Sequence, residues 1–182
     1  MGSQVSTWKH EHRTFNTLFL ILEKQLKLFR EDDAPNYDLM LEIVNYMLDY
    51  ADRFHHPMED LVFDIIADRV PQVREKIWEL KREHIDIMKR GLELANAIEA
   101  VMGGTVMSRD VVEDLSKGYL DLFRRHIYSE EQDVLMEAAA KLTKEEWENI
   151  EREIERGEDP LFVERLDQRY IALRREIANL SP

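Results

Sequence analysis

The chain has no cysteine. That excludes disulfides, thiolate metal ligands and cysteine nucleophiles together. Any metal would have to be held by His, Asp and Glu, and such nitrogen and oxygen donors suit iron, manganese or zinc. Glycine and proline are scarce, 6 and 5 in 182 residues, a composition that favours helices over strands. Positive charge is in deficit, with 25 Lys and Arg against 38 Asp and Glu, a net −13. An acidic surface repels phosphate backbones, so no nucleic-acid partner is expected. No stretch approaches the roughly 20 uncharged apolar residues of a membrane span. The run Leu18–Leu22 is short and is followed by Glu23, so it is not a signal peptide either. The expectation is a cytoplasmic protein with no membrane partner. The start Met1-Gly2-Ser3-Gln4-Val5-Ser6 fits the loose myristoylation pattern, and an ordinary helix start is the plainer reading.

Apolar residues make up 44% of the chain, enough to bury the core of a domain of ordinary size. Six helical stretches can be read. The first spans Val5 to Arg30 and is broken by Glu31–Asn36. The second spans Tyr37 to Arg69. Pro71 fits the opening turn of the third, which runs to Met102 and ends at Gly103-Gly104. Ser108 can cap the fourth, which runs to Leu142. Thr143 and Glu146 form a capping box for a fifth, ended by Gly157, and Asp159-Pro160 opens a sixth that runs to Leu180. The expected fold is all-α: an up-down-up-down four-helix bundle over residues 1–142, with two extra C-terminal helices over 143–182.

Apolar seams on the four long helices are each interrupted by one histidine. The first helix carries Trp8, His12, Phe15, Phe19, Leu22, Leu26 and Phe29, in alternating steps of four and three. The second carries Leu41, Val44, Leu48, Ala51, His55, Met58, Val62 and Ile65. The third carries Val73, Ile77, Leu80, His84, Ile87, Gly91, Leu94, Ile98 and Val101. The fourth carries Val112, Leu115, Tyr119, Leu122, His126 and then Ser129 or Glu130.

A lone histidine on an apolar face is usually a core residue with one hydrogen bond, but four at one height are another matter. In an antiparallel pair, residues equally far from the connecting turn are level. His12 and His55 have their midpoint between Asp33 and Ala34, His55 and His84 between Arg69 and Val70, and His84 and His126 at Thr105. All three midpoints fall in breaks, so the four histidines should share one layer. Burying four imidazoles together without a partner would be costly. Glu59 and Glu130 each lie four residues after a histidine, on the same helix face. Two carboxylates from two helices with histidines around them make a di-metal arrangement in a bundle core. His56 and Asp60 repeat the spacing one residue off the seam and rank second. Glu83 and Glu131 flank the candidate ligands, their plainer role being a solvated face. His10 stands off its seam. Pro57, inside the second helix, should kink or bulge it and so help to aim His55 and Glu59.

These residues resemble the hemerythrin-like (HHE cation-binding) family. The matching stretches are Glu11-His12-Arg13, Phe54-His55-His56-Pro57-Met58-Glu59-Asp60, Arg82-Glu83-His84 and His126-Ile127-Tyr128-Ser129-Glu130-Glu131. The resemblance implies two iron ions, oxygen-bridged, with Glu59 and Glu130 as bridging carboxylates. It implies His12 and His55 on one ion and His84 and His126 on the other. It also implies binding of dioxygen or a related diatomic or peroxide ligand. The chain departs from the oxygen carriers of this family in its third helix, where Met88 stands at the position of their second histidine. It departs again after His126, where the carboxylate spacing is four rather than five.

Three functions fit this pattern: a binder or sensor of dioxygen or nitric oxide, an enzyme reducing peroxide, dioxygen or nitric oxide, and an iron-handling or structural bundle. Tyr119, one heptad before His126, is a candidate proton or electron donor whose plainer role is packing. Zinc or manganese would suit the same ligands. Trp147, Ile150, Ile154, Leu161, Phe162, Leu166, Tyr170 and Leu173 give the last two helices apolar faces, for capping the bundle or for a homodimer surface.

Overall fold

The computed structural model describes residues 3–31, 33–153, 159–161 and 170–180, and among them there is no strand. Helix α1 spans Ser3–Arg30. Asn36 caps α2 (Tyr37–Tyr46) by accepting from the Leu39 N–H at 3.0 Å. A π-helical stretch, Met47–His55, joins α2 to α3 (His56–Arg69) in one continuous rod. A 3-10 turn at Pro71–Val73 leads into α4 (Arg74–Met102). The fourth rod is α5 (Arg109–Ser129), a second π stretch (Glu130–Val134) and α6 (Leu135–Lys141). Then come α7 (Lys144–Glu153) and α8 (Ile171–Leu180). The α1 and α4 rods each pack on both of the others, which sets the four in a square with up-down-up-down connections. Among the described residues no helix is long and apolar enough to cross a membrane.

The seams read from the sequence line the interior. On α1 the burial runs Trp8, His12, Phe15, Phe19, Leu22 and Leu26, and on α4 Ile77, Leu80, His84, Ile87, Gly91, Leu94 and Ile98. In the second rod Leu41, Leu48 and Ile65 fall to the margin of the core, and Met40, Met47 and Ile66 take the centre. This rod buries two neighbours per turn, at 46/47, 50/51, 55/56 and 58/59. The step of five from 50/51 to 55/56 is the extra residue that a π turn accommodates. The cause is Pro57. Its ring would crowd the carbonyl four residues back and it has no N–H to give. The turn before it widens, and the His56 N–H reaches back to the Ala51 carbonyl.

The fourth rod shows the same device without a proline. Its core residues His126, Glu130, Val134 and Ala138 follow in three steps of four. In an α-helix each such step overshoots the face by about 40°. The stretch Glu130–Val134 absorbs this, with the Leu135 N–H bonded to the Glu130 carbonyl. Of the two candidates after His126, Glu130 is the buried one, and Ser129 sits at the margin.

The core is divided. One apolar cluster gathers Phe15, Phe19, Leu22, Met40, Ile43, Met47, Ile87, Leu94 and Phe123 towards the 30s and 100s connections. Another gathers Trp8, Met58, Val62, Phe63, Ile66, Ile77, Leu80, Val134 and Leu135 towards the other end. The histidine layer lies between them. The capping box forms as expected, with the Glu146 N–H on Thr143 Oγ1 at 3.3 Å and the Thr143 N–H on Glu146 Oε2 at 2.8 Å. Helix α7 sets Trp147 edge-on to Trp8 at 5.7 Å. Leu161, Tyr170 and Leu173 join the first cluster, and the Tyr170 hydroxyl donates to Asp49 at 2.9 Å. The side chain of Phe29, and residues Ile154, Gly157, Phe162 and Leu166, lie outside what is described.

Candidate metal centre

Four rods deliver six side chains to the layer between the two apolar clusters. His12 comes from α1, His55 from the end of the first π stretch and Glu59 from the first turn of α3. His84 comes from α4, His126 from the last turn of α5 and Glu130 from the start of the second π stretch. All six are buried. The rings of His12 and His55 lie 5.0 Å apart between centroids, and those of His84 and His126 4.6 Å apart.

Each carboxylate spans both histidine pairs. Glu59 Oε1 lies 3.2 Å from His55 Nε2 and 3.6 Å from His12 Nε2, while its Oε2 lies 3.7 Å from His84 Nε2. Glu130 is its counterpart. Its Oε1 lies 3.0 Å from His126 Nε2 and 3.3 Å from His84 Nε2, and its Oε2 lies 3.6 Å from His12 Nε2.

The other ring nitrogens face outward to a second ring of carboxylates. His12 Nδ1 pairs with Glu131 at 3.0 Å, His55 Nδ1 with Glu11 at 2.6 Å, His84 Nδ1 with Asp60 at 3.0 Å and His126 Nδ1 with Glu83 at 3.0 Å. A carboxylate at Nδ1 accepts its proton and fixes the ring so that Nε2 faces the centre, where a cation could take the place of the Nε2 proton. Glu83 and Glu131 therefore hold histidines from behind and do not reach the centre. Asp60 serves His84 and not His56. Glu11 had no seam or spacing signal of its own, and its role follows only from the crossing of α1 over the first π stretch.

Aromatic rings seal the layer. Phe15 stands edge-on to His55 at 5.1 Å, Phe63 stacks on His84 at 5.9 Å and Phe123 packs on His126 at 6.3 Å. His10 lies outside this layer, exposed on α1.

The electrostatics favour cations. Burial and their mutual repulsion push the two carboxyls up, and the surrounding histidines nevertheless hold both ionised, Glu130 well below the usual carboxylate range. Burial pushes the His55 imidazole down, and the Glu59 charge with hydrogen bonds to Glu11 and Glu59 raises it to about 10. His126 is raised to about 9 against its burial, by the charge and hydrogen bond of Glu130. Several buried polar atoms here lack an aligned hydrogen-bond partner among the described residues: both oxygens of Glu59, Glu130 Oε2 and His126 Nε2. Such atoms are costly in a protein interior. A cation is the partner this donor set suits. One donor atom each from His12, His55 and Glu59 lies within 4.8 Å of the others, and so do donors from Glu59, His84 and Glu130.

A family model described as the hemerythrin HHE cation binding domain matches residues 3–138. No curated protein and no solved structure matches the chain.

Proposed function

Since the chain belongs to the hemerythrin HHE cation-binding family, we propose that its buried centre holds two iron ions and takes up dioxygen or a related small ligand such as nitric oxide or peroxide. The observation that carries this reading is the span of the carboxylates: Glu59 and Glu130 each face both histidine pairs. His12 and His55 would hold one ion and His84 and His126 the other, with Glu59 and Glu130 shared. Bound ferrous ions would supply electrons and open coordination positions for the incoming ligand.

The chain's own residues supply the rest. Glu131, Glu11, Asp60 and Glu83 fix the ring orientations from outside. Phe15, Phe63 and Phe123 exclude water and keep the local dielectric low, which favours an uncharged small ligand over water at the centre. A reductase acting on the same ligands is the second reading. It is favoured by Tyr119, which is wholly buried one heptad before His126 with a hydroxyl that has no hydrogen-bond partner among the described residues.

The test is elemental analysis of purified protein, with anaerobic optical spectra before and after air. About two irons per chain and a near-ultraviolet band, reversible on removing the gas, are expected for a binder. Catalytic loss of peroxide or nitric oxide with a supplied donor would move the assignment to the reductase. No iron after anaerobic reconstitution, with zinc or manganese bound instead, would overturn both. Changing His12, His55, His84 or His126 singly to Ala should empty or halve the metal content, while His10→Ala should not.

A further inference from the structure

Helix α4 carries a second seam. Its inner seam, from Ile77 to Ile98, lines the core. On the opposite face Trp78, Ile85 and Leu92 follow one another in steps of seven, with Met88 between the last two. They are exposed by 57%, 50% and 47%, and Met88 by 39%. Single exposed apolar residues are ordinary, but a row of them on one face marks a contact surface. A step of seven drifts only about 20° round a helix, so the row forms one band about 21 Å long. The extra C-terminal helices pack elsewhere, α7 on α3 and α8 on α1 and α2. One flank of the band carries Arg82, Asp86, Lys89 and Glu93, all exposed. Their signs alternate and cancel, on a chain whose net charge is −13.

We propose that this face of α4 docks a second copy of the chain, the two α4 helices packing antiparallel about a two-fold axis near Met88. In such a pair each flank faces the same flank of the other helix, so whatever residue i meets on j, j meets on i. The order plus, minus, plus, minus read backwards is minus, plus, minus, plus, so the flank is its own complement. Arg82 of each copy meets Glu93 of the other, and Asp86 meets Lys89. Both pairs are centred between Ile87 and Met88. Ile85 of one copy against Leu92 of the other is centred between Met88 and Lys89. Charged and apolar contacts thus ask for the same axis to within about one residue, or about 1.5 Å of helix rise. Trp78 then reaches the turn beyond Leu92 on the other copy. The Lys89–Asp86 pair within one helix is loose, at 3.8 Å, with both side chains 62% exposed, so both groups can turn to a partner. The band supplies affinity, and the charges supply partner and register. Two copies of −13 repel each other at long range, and this flank is where that repulsion is locally cancelled. The interface does not depend on which metal the centre holds.

One helix pair is at the small end of interface size, so a Kd on the order of 10 μM is expected. The test is sedimentation velocity of the full chain as purified, from about a tenth of that concentration to about thirty times it. Wild type should pass from monomer to dimer over this range. Ile85→Asp, which places a charge in the band on both copies, should raise the Kd at least about 10-fold. Arg82→Glu sets Glu against Glu93 twice in the dimer and should raise it about 10-fold. Adding Glu93→Arg to Arg82→Glu exchanges the two ends of the pair and should bring the Kd back to within about 3-fold of wild type. Ile171→Asp, on the exposed side of α8, should change nothing. All these positions are exposed, so the variants keep the fold, which circular dichroism and urea unfolding verify. A wild type that stays monomeric at the highest concentration leaves the band to another occupant and overturns the proposal. A dimer that survives Ile85→Asp but not Ile171→Asp is built on α8 and overturns it too. A dimer weakened by Arg82→Glu and not rescued by the exchange overturns the antiparallel pairing.

Discussion

Glu59→Gln removes one negative charge from the centre of the bundle and almost no volume. In the structure this carboxylate lies 3.2–3.7 Å from ring nitrogens of His55, His12 and His84, so about 4 Å is an outer bound on its distance to a cation they share. One unit of charge against a single positive charge at that separation, with an effective dielectric near 20, is worth about 4 kcal/mol, a lower bound for a divalent ion. Metal affinity should therefore fall at least about 1,000-fold, since 1.4 kcal/mol is a factor of ten. The readout is the melting temperature with and without metal, each variant against its own metal-free reference. At metal concentrations about 100 times the wild-type Kd, binding adds about 2.7 kcal/mol. For a chain of this size that raises Tm by roughly 5–11 °C. The same concentration would be at most about a tenth of the variant's Kd and would move its Tm by less than about 1 °C. Glu148→Gln, on the exposed face of α7, is the control and should keep the full shift. A Glu59→Gln protein with the wild-type shift and metal content would refute the shared-carboxylate assignment.

Phe15→Ala should cost about 3–5 kcal/mol in urea unfolding and also weaken metal retention, because the wholly buried ring fills the space between His55, Tyr46 and Phe123. At Gly91 a new Cβ would meet Leu48 Cδ2 at 3.0 Å and Tyr119 Cε2 at 3.5 Å. Gly91→Ala should be nearly neutral, as helix propensity offsets the crowding of a flexible leucine, whereas Gly91→Val should cost about 1–3 kcal/mol of stability in urea unfolding. Asp159 is pushed by burial from 3.8 up to about 6, against hydrogen bonds from the Leu161 N–H and the Tyr46 hydroxyl. A carboxyl raised in the fold stabilises it fully below the unfolded value, near 4, and this is lost as pH rises through about 6. Partial exposure limits the effect to roughly 1–2 kcal/mol. Asp159→Asn should flatten the stability curve between pH 4 and 7, and an unchanged curve would show that Asp159 does not carry it.

The sequence by itself determined the helices, the four rods and the height of the histidine layer. Seam spacing fixes which face is inward, and counting from the breaks fixes the level, because a helix has a constant rise and a constant angle per residue. His12, His55, His84 and His126 were legible in this way, and Glu59 and Glu130 by sharing a face with two of them. Direction was not legible. Which nitrogen of each imidazole points inward depends on the carboxylate behind it, and Glu11, Glu131, Asp60 and Glu83 reach their partners across helices or from flanking positions. Glu83 and Glu131 have the same spacing signal whether they enter the centre or stand behind it. Only the packing of α1 against the second and fourth rods, and of α4 against the same two, puts them behind. His56 shows the limit most plainly. An ideal helix turns adjacent residues about 100° apart, so the seam placed it beside the core at best. Pro57 gave a warning of distortion but not its form. The widened turn at Met47–His55 exists because the proline ring and the packed rod must both be accommodated, and it is this tertiary compromise that carries His55 and His56 inward together.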